Sequence, residues 1–68
     1  MTIGESIKKA RKDKGLNQTQ LAAAVGANTA QVSWWETGRT FPSILTCISL
    51  ADYFGITLDE LVGRTVAQ

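Results

Sequence analysis

The sequence has no histidine, one cysteine, one proline and one methionine. Without histidine, and with Cys47 as the single thiol, a zinc site lacks its usual ligands. A nucleophile–base pair likewise lacks its usual base. One cysteine forms no internal disulfide, which suits a reducing cytoplasm. No apolar run reaches the length of a membrane span. The N-terminus lacks the basic-then-apolar pattern of a secretory signal. Charge of either sign is sparse, with seven Lys and Arg against six Asp and Glu. The absences point to a cytoplasmic binding protein rather than an enzyme, with no cofactor, metal, membrane or small-molecule ligand expected.

What charge there is falls unevenly. Residues 1–40 carry Lys8, Lys9, Arg11, Lys12, Lys14 and Arg39 against Glu5, Asp13 and Glu36, a net of +3. Residues 41–68 carry Arg64 against Asp52, Asp59 and Glu60, a net of −2. At 68 residues the chain reads as one domain over 1–68, marginal unless its core is efficient or it pairs with a second copy. Its helical core is expected over about 2–63, with a short, frayed C-terminal tail.

The chain is organised around Gln18–Thr37. Leu21, Ala22 and Val25 have helical apolar spacing. Gly26 then ends the helix in a conformation that glycine tolerates. Asn28 is a good N-cap, and Gln31 three residues on can bond back to it. Val32 and Trp35 continue a second helix. Ala22 stands where the two helices cross, and a larger side chain would hold them apart. A short turn with small residues at the crossing is the pattern of a helix-turn-helix.

Similar punctuation brackets the rest. Thr2 to Glu5, Asn17 to Gln20 and Thr57 to Glu60 are capping boxes, and Ser43 can cap a helix after Pro42. Gly15, Gly26, Gly38, Gly55 and Gly63 each follow an expected helix. The first helix runs to about Lys14, with Ile3, Ile7 and Ala10 on one face and solvated Lys8, Lys9 and Lys12 on the other. In the fourth helix the spacing gives a buried stripe of Ile44, Cys47, Ile48, Ala51 and Phe54, with Leu50 at its edge. Cys47 reads as a small core residue. The fifth helix carries Leu58, Leu61 and Val62; Asp59 and Glu60 are first-turn charges rather than an acid–base pair. Caps, stops and periodicity agree on an all-α, compact five-helix bundle. Phe41 and Pro42 are expected to pin the loop bearing Arg39 against the core.

Arg11, Gly15 to Gln18, Gln20 to Ala22, Val25-Gly26, Val32 to Glu36, Gly38, Pro42, Leu50 to Gly55 and Leu58 to Leu61 together resemble the Cro/repressor-type helix-turn-helix family, also called the Xre family. The resemblance covers Ile3 to Gly63. It implies a lambda-repressor-like DNA-binding domain whose helix-turn-helix is formed by helices 2 and 3. It implies a transcriptional regulator, expected as a repressor, that binds a two-fold operator in double-stranded DNA as a homodimer. The alternative is an antitoxin or small antagonist that uses the same fold to bind a protein partner. A prokaryotic or phage-encoded, nucleoid-associated protein is expected.

In such a motif the second helix enters the major groove. With Val32 and Trp35 inward, helical geometry puts Ala30, Ser33, Trp34 and Thr37 outward. The family pattern places Thr29, Ala30, Ser33 and Trp34 at base-reading positions, flanked by Gln31. Gln31 offers a bidentate amide suited to adenine, while Thr29 and Ala30 suit thymine methyl groups. Gln18, Asn28, Thr37 and Arg39 match phosphate-contacting positions; for Gln18 and Asn28, capping and phosphate contact are compatible. The family also pairs residues at Arg11 and Glu36, read here as a partly buried structural ion pair. Ile56, Leu58 and Leu61 are the candidate dimer contacts, with core packing the alternative for at least one of them.

Overall fold

A computed structural model describes residues 2–63 as five α-helices: α1 Ile3–Asp13, α2 Gln18–Val25, α3 Thr29–Thr37, α4 Ile44–Phe54 and α5 Leu58–Val62. The expected tail, residues 64–68, lies outside the described residues. Among the described residues there is no strand, and no helix is long and apolar enough to cross a membrane.

Local chemistry sets the helix boundaries. At α1, α2, α3 and α5 the N-cap side chain accepts from the N3 backbone, and the N3 side chain accepts from the N-cap backbone. Each reciprocal pair satisfies N–H groups that a helix start leaves without partners. The Glu5 carboxyl accepts the Thr2 N–H at 2.8 Å, and these bonds to Thr2 hold its pKa below the ordinary value. Ser43 caps α4. Gly26 turns between α2 and α3 with φ 72°, a left-handed conformation in which a side chain would be strained.

The core is Ile7 from α1, Leu21 and Ala22 from α2, Val32 and Trp35 from α3, Cys47, Leu50 and Ala51 from α4, and Leu61 from α5. Ile3, Val25, Ala27, Phe54 and Ile56 pack around it. α1 lies against α3 and α5, α2 against α3 and α4, and α4 against α5. Ala22 is buried, as the helix crossing requires. Gly4 has a role that the sequence pattern hid. A Cβ there would collide with the Trp35 carbonyl oxygen and lie 2.8 Å from that of Glu36. Only glycine lets α1 approach the end of α3 so closely.

Several expectations are corrected. In α4 the buried residues are Cys47, Leu50 and Ala51, with Phe54 half-buried; Ile44 and Ile48 are exposed. Most of α4 is apolar, so periodicity alone did not choose the arc. The buried arc is centred between Cys47 and Leu50, which leaves Ile48 roughly 130° away around the helix. Phe41 does not pin its loop: it is 71% exposed, because Pro42 directs the chain straight into the Ser43 cap of α4. Leu61 is fully buried in the core and has no surface to offer a second copy. Ile56 is half-buried against the same core, and Leu58 alone of the three candidates stays exposed.

Burial raises the pKa of the Cys47 thiol, whose Sγ donates to the Pro42 carbonyl at 3.7 Å. A protonated, enclosed thiol is a poor nucleophile. The Ser6 hydroxyl is buried without a hydrogen-bond partner. Leaving a polar group unsatisfied costs about 1–3 kcal/mol, so Ser6→Ala is expected to raise stability by about 1 kcal/mol. Urea unfolding checks this. A lower midpoint in the variant would mean that water satisfies the hydroxyl.

Candidate nucleic-acid interface

α3 forms because Asn28 starts it, Gly38 ends it, and Val32 and Trp35 anchor it inward. Its opposite side is uncovered. Thr29, Ala30, Gln31, Trp34 and Thr37 are exposed, and Ser33 is half-buried. The structure thus brings the five expected base-reading residues onto one stretch of one helix. Thr19, from the first turn of α2, joins them: its hydroxyl lies 3.0 Å from that of Thr29. Nothing in the sequence marked Thr19, since the pairing exists only once α2 and α3 have crossed.

The four expected phosphate-contacting residues differ in what they have left to offer. Asn28 and Gln31 accept from each other's backbone N–H through their carbonyl oxygens, at 2.9 and 3.0 Å. Each keeps its NH₂ group for another acceptor. Gln18 donates one amide hydrogen to Glu36 at 3.1 Å and has a second to give. Thr37 spends its hydroxyl hydrogen within α3, on the Ser33 carbonyl at 3.0 Å or that of Trp34 at 3.3 Å. Donating to a phosphate would break that bond.

Arg39 is the one cation between Asn17 and Thr40. It is exposed, and its guanidinium carbon sits 5.4 Å from the centroid of the Trp34 ring, within cation–π range. Its backbone N–H donates to the Trp34 carbonyl at 2.9 Å, so the turn after α3 folds the arginine back over the ring. The ring consequently faces solvent only in part, at 38% exposure. Sequence reasoning placed both residues but missed their contact, which depends on the left-handed turn at Gly38.

Beneath this face lies a polar link between three elements. Arg11 of α1 donates through Nε to Glu36 Oε2 at 2.7 Å, and through Nη2 to Oε1 at 3.1 Å. Its Nη1 donates to the Leu16 carbonyl at 2.8 Å. The two charged side chains are only 11% and 3% exposed. Because Glu36 also holds Gln18, one buried carboxylate ties α1, the start of α2 and the end of α3 together. Outside this link the lysines of α1 are exposed, with Lys9 paired to Asp13 at 2.8 Å.

The pattern of the family described as Helix-turn-helix matches residues 7–61. The transcriptional activator BcrR of Enterococcus faecalis is 31% identical over 63 residues, which cover 93% of this chain and 31% of that protein. An immunity repressor of Bacillus phage phi105 is 35% identical over 64 residues, covering 94% of this chain and 44% of the repressor. The chain therefore spans less than half of the length of each of these relatives. The crystal structure of the P22 c2 repressor protein in complex with a synthetic operator aligns with a TM-score of 0.89 at 26% identity, over 96% of this chain and 98% of that one.

Proposed function

The chain belongs to the Cro/repressor-type (Xre) helix-turn-helix family, and from that premise we propose that it is a sequence-specific DNA-binding transcriptional regulator, acting by binding rather than catalysis. The observation that carries the reading is the uncovered outer side of α3, with unspent amide hydrogens at Gln18 and Asn28 beside it. α3 lies in the major groove, and Thr29, Ala30, Gln31, Ser33 and Trp34 face base edges. Gln18, Asn28 and Arg39 meet phosphates, helped by the first N–H groups of α2, which have no intrahelical acceptor. Thr37 contributes as an acceptor for bridging water.

Relatives include both an activator and a repressor by name. Repression by occupying an operator is the simplest mode, since it needs no contact beyond those to DNA. A single short recognition helix reads few base pairs, so two copies on half-sites about one helical turn apart supply the specificity.

The test is selection of bound sequences from a random DNA pool, followed by titration of the selected duplex over a range of salt concentrations. A two-fold consensus with steeply salt-dependent binding supports the reading. No enrichment, together with salt-independent binding, would overturn it. Arg39→Gln is expected to lower the slope of log K against log salt by about one phosphate's worth, ~0.9.

Trp34 gives a sharper prediction. Its ring reaches thymine methyls, and exchanging half-site thymines for uracil should cost about 0.8 kcal/mol for each methyl it buries. Trp34→Ala is expected to weaken operator binding, abolish that sensitivity and leave the melting temperature unchanged. Operator binding by Trp34→Ala as tight as the parent's would remove Trp34 from the groove.

A further inference from the structure

Thr19 and Thr29 meet where α2 crosses α3, their hydroxyl oxygens 3.0 Å apart. Both residues are exposed, and the crossing is packed by Leu21, Ala22 and Val32, so this contact is not what holds the helices together. Its place matters more than its strength. Thr29 is the first residue of α3, and the first residues of a recognition helix lie nearest the base edges. Thr19 is the second residue of α2, in the turn whose unpartnered N–H groups the operator-binding reading sets against a phosphate. The pair therefore joins a base-facing position to a backbone-facing one. We propose that Thr19 is a specificity-determining residue that works through Thr29, and that the pair excludes guanine from the position that Thr29 faces. The proposal rests on the operator-binding reading above and deepens it.

The argument is a count of hydrogens. A hydroxyl has one hydrogen to give and two lone pairs to receive. Between Thr19 and Thr29 one hydrogen is spent, and either oxygen can be its donor. One hydrogen is left over, and in the free protein it can sit on either residue. A phosphate diester carries charge and only accepts, and charge-assisted bonds are the stronger ones. The phosphate beside α2 takes the remaining hydrogen from Thr19. The bond within the pair must then run from Thr29 to Thr19, which leaves Thr29 with a lone pair and a methyl group.

That remainder selects among bases. In the major groove adenine presents N6 hydrogens, cytosine presents N4 hydrogens, and thymine presents a methyl group. Guanine presents O6 and N7, both acceptors. Thr29 without a hydrogen to give sets lone pair against lone pair there. Threonine is also stiff about χ1, so tying its Oγ1 to α2 fixes where its methyl group lies. A phosphate contact that carries no sequence information by itself thus becomes part of base choice.

The experiment titrates the wild-type chain, Thr19→Val, Thr19→Ser and Thr29→Ala against the selected operator and against duplexes carrying each other base at each position of one half-site. Thermal melts check that each variant is folded. The position at which Thr29→Ala changes the order of preference identifies the base pair concerned. There the wild type is expected to bind guanine about tenfold or more weakly than its preferred base. Thr19→Val keeps the shape, loses the hydroxyl and frees the Thr29 hydrogen, and is expected to reduce the guanine penalty to about twofold. Thr19→Ser is expected to restore it. A guanine penalty unchanged in Thr19→Val, even with weaker binding to every duplex, would overturn the proposal, because Thr19 would then touch phosphate alone. So would a Thr29→Ala chain that keeps the parent's preferences at every position. Failure of the wild type to bind any duplex would instead strike at the operator-binding reading on which the proposal rests.

Discussion

Glu36→Ala is expected to cost about 3 kcal/mol of folding stability, the range for breaking a buried ion pair. Its carboxylate is 3% exposed and accepts three hydrogen bonds, two from Arg11 and one from Gln18. Removing it strands the Arg11 guanidinium, at 11% exposure, with the Leu16 carbonyl as its remaining partner. A surface pair would be worth under about 1 kcal/mol, so the two pictures differ measurably. Total stabilities start at about 5 kcal/mol, and a chain this small has little in reserve. The measurement is a double-mutant cycle with Arg11→Ala by urea unfolding. Coupling near zero would reduce the pair to two independent charges. Replacing both residues by apolar side chains of similar volume should recover much of the loss, because no charge is then left buried. That double variant is still expected to bind DNA less well than the parent, because Gln18 loses the acceptor that orients its amide.

Gly4→Ala should also destabilise, against the helix scale. In an open helix the change would gain about 1 kcal/mol. Here the new methyl meets the carbonyl oxygens of Trp35 and Glu36, and backbone cannot rotate aside as a side chain can. α1 must move away from α3, which loosens Ile7 in the core and lengthens the Arg11–Glu36 bonds. Overpacking of this kind costs about 1–3 kcal/mol, and Gly4→Val should cost more than Gly4→Ala. A raised melting temperature for Gly4→Ala would show that α1 does not approach α3 as closely as described.

The two residues differ in how readily the sequence disclosed them. Arg11 and Glu36 came through their places beside the apolar stripes of their helices together with the family resemblance. Gly4 gave no signal: a glycine in the first turn of a helix looks like a weak position until the opposing carbonyls are in place. Helix boundaries, by contrast, were legible to within a residue or so, because a cap and its N3 partner lie in one local stretch. Ala22 was legible for a similar reason, as the turn at Gly26 fixes which faces meet. The buried arc of α4 was not. Ile44, Cys47, Ile48 and Leu50 all satisfy a helical apolar pattern, and only packing against α2 and α5 separates those inside from those outside. Phe41 was misplaced by assuming that a large apolar side chain in a polar loop must be buried. At the interface, the outward residues of α3 followed from Val32 and Trp35 alone. Contacts that join separate elements, such as Thr19 with Thr29 and Gln18 with Glu36, waited on the tertiary structure.

Ala30, Ser33 and Trp34 point a different way. Their side chains hold no hydrogen bond to the remainder of the bundle among the described residues, whereas Gln18, Asn28 and Gln31 are each committed to one. Scaffold and vocabulary are therefore separable in this chain. Exchanging the three side chains for others should retune which operator is chosen at little thermodynamic penalty, surface changes typically staying within about 0.5 kcal/mol. On the proposed base-reading role, a lineage of such proteins would diverge onto new operators by drifting at three positions. Artificial libraries restricted to those codons should yield folded members with altered preferences, while libraries at Gln18 or Glu36 should mostly yield losses.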